Sequence, residues 1–177
     1  AEHFGKEGAF ITKATAQLMR DFGCVQSPIN AYMLNLGLES LHVRMARHCE
    51  NGQAVAEFLA SHPKIAYVNY CGLPGDKYHA VAEKYLPNGS CGVVSFGVKG
   101  GREAAAAFMG HLKIAAIETH VADARTCCLH PASSTHRQMN DEQLIAAGVQ
   151  PDLVRMSCGL EDKNDLIHDI AQALDQI

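Results

Sequence analysis

Arg155 is the residue that most invites a chemical reading. It interrupts an otherwise apolar strand, LVRMSCGLED (153–162), and on a strand it faces the side opposite Val154 and Met156. An arginine so placed either stands in solvent or is aimed into a cleft, where its guanidinium can grip a carboxylate through two parallel hydrogen bonds. The second stretch of interest is 123–140, which has little periodicity and many small polar residues. A loop of that length in a compact domain is commonly a functional one.

Other chemistries are disfavoured by spacing. The chain carries 10 His and 7 Cys, and zinc needs ligands at close, paired spacings. The nearest candidates, His42 with His48 and Cys127 or Cys128 with His130 and His136, form no recognised ligand pattern, so no metal is expected. Cys127, Cys128 and Cys158 sit among apolar residues, the setting of inert buried thiols rather than nucleophiles. The glycines match neither the dinucleotide fingerprint nor the Walker pattern.

The elements that must position these residues follow from patterning. A helix over 8–20 ends before Gly23, and Ser27-Pro28 starts the longest helical region, 27–61, with Gly37 marking one bent helix or two successive ones. Strands are predicted over 65–70, 91–99, 114–120 and 153–157. Helices are predicted over 78–86, 103–112 and 141–147, the last capped by Asn140, and from Asp162 or Asn164 to the end. The expected fold is α+β: a small, mainly antiparallel four-stranded sheet with helices packed on one face, and no internal boundary.

Composition bounds the class. With 15 Lys+Arg against 19 Asp+Glu the net charge is −4, which argues against a nucleic-acid partner. No apolar run approaches a membrane span, and AEHFGKEGAF lacks the core of a signal peptide. Seven cysteines without a C-x₂-C pair suit free thiols in a cytoplasmic protein. The chain does not begin with Met, so a processed product or a fragment is expected.

The strings VADARTCCLHPASSTHRQ (121–138) and LVRMSCGLED, with SPINAYMLNLGLESLHVRMARH, YVNYCGLP and GVVSFGVKGG in order before them, resemble the Cys/Met metabolism enzymes that depend on pyridoxal phosphate. Within that family the HPASSTHRQM loop and KYLPNGSCGVVSFGVKGG look most like O-acetylhomoserine sulfhydrylases. The resemblance implies that residues 1–177 are the C-terminal small domain of a type I aminotransferase-like enzyme, with 1–60 a helical lead-in from a larger cofactor-binding domain. It implies a homo-oligomer that makes homocysteine from O-acetylhomoserine and sulfide, or methionine from a thiol, by γ-replacement. Cystathionine γ-synthase and methionine γ-lyase activities are the alternatives inside the family; a stand-alone folding or oligomerisation module is the alternative outside it. Arg155 matches the arginine that binds the substrate's α-carboxylate, and Thr126 a Ser/Thr position whose neighbourhood orients it. The lysine that carries the cofactor has no counterpart here, since Lys13 has the wrong surroundings, so the chain alone is expected to be inactive. Such a domain should expose an apolar face.

Overall fold

Ser27 and Pro28 begin a helix as their chemistry dictates. In the computed structural model, which describes residues 5–177, the Ser27 hydroxyl accepts a hydrogen bond from the Asn30 amide at 3.3 Å, and Pro28 takes the first helical position, where no N–H is needed. Before it lie α1 (Gly5–Thr12), a π-helical stretch (Lys13–Met19) and α2 (Arg20–Phe22), closed by Gly23 in the left-handed conformation. Helices α3 (Pro28–Glu39) and α4 (Leu41–Ser61) are two successive helices, and the break falls at Ser40 rather than Gly37. The chain forms two compact units that meet at Leu41 and His42. Among the described residues of the first unit no helical residue is buried, and Phe10, Phe22, Ile29, Leu34 and Leu38 are exposed. The expected lead-in over 1–60 spans the first unit and part of the second; its residues 1–4 lie outside those described.

The second unit holds the sheet. Strands β1 (Ile65–Asn69), β2 (Val93–Val98), β3 (Ala116–Ile117), β4 (Cys127–Leu129) and β5 (Leu153–Ser157) lie in the order β1-β2-β5-β4-β3. Neighbours pair antiparallel except β3 and β4, which are parallel. The expectation of four mainly antiparallel strands is therefore corrected to a mixed sheet of five strands. The extra strand, β4, sits inside the stretch that reads as loop, because a three-residue strand is too short to show alternation. Strand β3 is shorter than expected for a physical reason. The amides of Lys113, Ile114 and Ala115 bond the buried Asp169 carboxylate at 2.8, 2.9 and 3.2 Å, so they are not available to a ladder.

Alternation along the strands divides the two faces. Val94, Phe96 and Val98 of β2, Val154 and Met156 of β5 and Cys128 of β4 point into the core. There they join Val55 and Leu59 of α4, Phe108 of α6 (Gly101–His111) and Leu166, Ile170 and Leu174 of α8 (Lys163–Asp175). The rings of Phe96 and Phe108 meet edge to face, 5.8 Å apart. Burying a side chain of this size contributes roughly 2 kcal/mol, so these residues hold the sheet in place. The remaining helices are α5 (His79–Tyr85) and α7 (Asp141–Ala146), the latter started by a reciprocal capping box between Asn140 and Gln143. Among the described residues no helix is long and apolar enough to cross a membrane.

Candidate active site

Because Val154 and Met156 are fixed in the core, Arg155 must emerge on the other face of β5. It lies between Ser95 of β2 and Leu129 of β4, each directly opposite it in register. Its guanidinium donates one hydrogen bond, from Nη2 to the Thr119 carbonyl at 2.8 Å. That bond is its only one among the described residues, and a forked five-donor group restrained at one end can still pair with a carboxylate at the other.

Thr119 belongs to the loop 118–126 that joins β3 to β4, and the loop is densely charged. His120 Nδ1 lies 2.9 Å from a Glu118 oxygen and 3.5 Å from Asp123 Oδ2. Arg125 Nη2 reaches both Glu118 oxygens at 3.2 Å. The Arg125 amide, followed by the Arg125 and His120 charges, holds the Asp123 carboxyl below the usual carboxylate range. Ala122 takes a left-handed φ of 57°, costly for a residue with a Cβ, and its amide bonds the Ser157 hydroxyl at 3.0 Å. The loop is therefore tied to the end of β5, two residues from Arg155.

Thr126 is placed differently from Arg155. It is fully buried, its Oγ1 donates to Glu161 Oε2 and accepts from the Gly159 amide, both at 2.8 Å, and its own amide donates to Glu161 Oε1 at 2.7 Å. The Asn51 amide group of α4 donates to the Gly159 and Glu161 carbonyls, so one knot joins α4, the start of β4 and the segment after β5. Thr126 fixes the backbone around the arginine; its hydroxyl is already committed at both ends. His130 ties the following loop, with Nε2 2.8 Å from the Pro151 carbonyl and Nδ1 2.9 Å from the Ser133 hydroxyl. Burial raises the Cys128 and Cys158 thiols, the latter to about 12, which leaves neither a nucleophile at neutral pH. Spacing alone did not single out Glu118, Thr119 and His120, which the fold brings into this cluster. Their only signal was a run of polar residues, since the parallel pairing of β3 with β4 is what folds them beside Cys127 and Arg155.

Three lysines of the second unit bond to groups of the chain itself. Lys64 Nζ bonds the Leu174 and Ile177 carbonyls, Lys99 Nζ the Pro63 carbonyl and Lys163 the Glu50 carboxylate. Lys77 and Lys84 lie over the rings of Tyr78 and Tyr85, and Lys113 lines a pocket with Asp165 and His168 of α8. In the first unit Lys13 is exposed on the π-helical stretch.

The second unit is an α+β layer that buries three helices against one sheet face and presents a braced arginine on the other. The chain belongs to the Cys/Met metabolism PLP-dependent enzyme family, whose model matches residues 5–175. It is 45% identical over 170 residues to an O-acetyl-L-homoserine sulfhydrylase of Leptospira meyeri, covering 96% of this chain and 38% of that protein. It is 43% identical over 173 residues to O-acetyl-L-homoserine sulfhydrylase 1 of Thermus thermophilus, covering 98% of this chain and 41% of that one. A crystal structure from Campylobacter jejuni, described as an O-acetylhomoserine (thiol)-lyase with a pyridoxyl-lysine phosphate, superposes with a TM-score of 0.86 at 37% identity. That match covers 94% of this chain and 40% of the other. The chain thus spans about two fifths of the length of the relatives it matches. The Arg155 guanidinium keeps donors beyond its one bond to Thr119, a chemistry that suits a carboxylate.

Proposed function

We propose that this chain is the substrate-anchoring part of a pyridoxal-phosphate-dependent O-acetylhomoserine sulfhydrylase. The reaction replaces the acetoxy group of O-acetylhomoserine by sulfide: the Cγ–O bond breaks, a Cγ–S bond forms, and homocysteine and acetate leave. The cofactor, where bound, supplies an electron sink. The contribution of this chain is positional. Arg155, braced by the Thr119 carbonyl, holds the α-carboxylate, and the Thr126–Glu161 knot keeps the strand ends that carry it in register. Holding a reactant in one orientation is worth several kcal/mol of barrier.

The observation that carries this reading is the braced arginine on the open side of β5. The length of the relatives supports the further proposal that residues 1–177 are a C-terminal small domain, with 1–60 a helical connection to a cofactor-binding domain. The exposed apolar side chains of residues 5–41 are the surface such a domain would cover.

The test is Arg155→Lys in the catalytically competent, cofactor-loaded protein, assayed for homocysteine from O-acetylhomoserine and sulfide. The expected result is a loss of kcat/KM of about 100-fold, equivalent to about 2.7 kcal/mol, carried mainly by KM, with the cofactor's absorbance retained. An unchanged kcat/KM overturns the assignment. Cysteine accepted in place of sulfide would move the reading to cystathionine synthesis.

A further inference from the structure

The sequence pairs Cys127 with His130 and His136 as possible ligands, but the fold separates them and gathers a different set. Ligand atoms of Glu118, His120 and Cys127 all lie within 4.8 Å of one another. The His120 Nδ1 to Glu118 distance is 2.9 Å, the Cys127 Sγ to Glu118 Oε2 distance 3.9 Å, and Asp123 Oδ2 stands 3.5 Å from the same His120 nitrogen. A tetrahedral zinc with the usual bonds to nitrogen, oxygen and sulfur has ligand–ligand edges of about 3.3–3.7 Å. The measured separations of 2.9, 3.5 and 3.9 Å straddle that range.

The cluster is graded from inside to outside. Cys127 is buried, Glu118 half-buried and His120 exposed, giving a soft ligand at the base, a carboxylate on the wall and an open approach. From these residues we propose that Glu118, His120 and Cys127, with Asp123 as fourth ligand, bind one divalent ion of the zinc class. One thiolate, one imidazole and two carboxylates suit zinc better than calcium or magnesium, which take oxygen alone. The β3–β4 pairing and the Ala122–Ser157 bond hold the ligand loop in shape without the ion. Arg125, whose side chain is 61% exposed, is the resident cation on Glu118 and Asp123, and it swings into solvent when the ion enters. The Thr119 carbonyl that braces Arg155 lies between two of the ligands in sequence, so an ion here also stiffens the carboxylate anchor.

The test is direct binding, separate from turnover, so its failure says nothing about the sulfhydrylase reading and the reverse also holds. The full chain, stripped with chelator, is titrated with Co(II) alone and then with Zn(II). One Co(II) per chain is expected, with a thiolate-to-cobalt charge-transfer band in the near ultraviolet that Zn(II) abolishes. Cys127→Ser removes the band, Cys71→Ser leaves it, and His120→Asn, at an exposed position, weakens binding about 10–100-fold with unchanged circular dichroism. A spectrum without the thiolate band, a band that survives Cys127→Ser, or unchanged affinity in His120→Asn overturns the site.

Discussion

Arg155 and Thr126, the two residues of the proposed substrate site, are held in very different ways. The arginine is legible because a charge breaks an apolar alternation, and the strand geometry then dictates its face. The threonine carries no comparable mark, since a loop Thr has many uses, and only the fold reveals that both roles of its hydroxyl are filled. Thr126→Val leaves the Gly159 amide and a Glu161 oxygen without their partner, and should cost about 3 kcal/mol in urea unfolding. Thr126→Ser keeps both bonds and should stay within about 1 kcal/mol of wild type. A Thr126→Val protein of wild-type stability but raised KM would instead put the hydroxyl on the substrate.

At the level of elements, caps and strands with strong apolar patterning were readable, and pairings across the chain were not. Ser27, Asn140 and Asp162 each sit where a helix start was expected, and each accepts the amide bond that position requires. Strand β3 falls inside the strand expected over 114–120 but is shorter, and the three-residue β4 could not be read, because its stability comes from neighbours far along the chain rather than from its own residues. That gap is the reason the charged loop between them went unrecognised as a cluster. The Asp162 cap makes a pH prediction. The Asn164 amide, at 2.8 Å, lowers its carboxyl below the unfolded value of about 4. A depressed folded pKa means stability that is present above the unfolded value and lost as pH falls through the folded one. Wild type should therefore exceed Asp162→Asn in unfolding free energy at pH 6, and the difference should close as pH falls below the unfolded value and through the lowered folded one. A difference that is constant across that range would mean the charge contributes nothing.

For the molecule as a whole, the sheet of the second unit is organised from one side. Helices α4, α6 and α8 bury its core face, and Arg155 and the charged cluster lie on the far face and on the loop beside it. Class and layering were open to sequence reasoning because they follow from the alternation of apolar residues; the division between Leu41 and His42 was not, because it falls at the start of α4, one residue past the break at Ser40, without any shift in composition. The Asp169 carboxylate, rising from α8 to hold three consecutive amides, has a consequence for how the molecule breathes. Lys113 and Ile114 are exposed residues outside any helix or strand, positions where amide protons ordinarily trade with solvent within seconds to minutes. Here those protons are tied to a buried group on a core helix, so in deuterium oxide they should exchange on the slow timescale of α8 itself, and Asp169→Asn should release them while the centre of β2 stays protected. A surface segment would then report, amide by amide, the opening of the core beneath it.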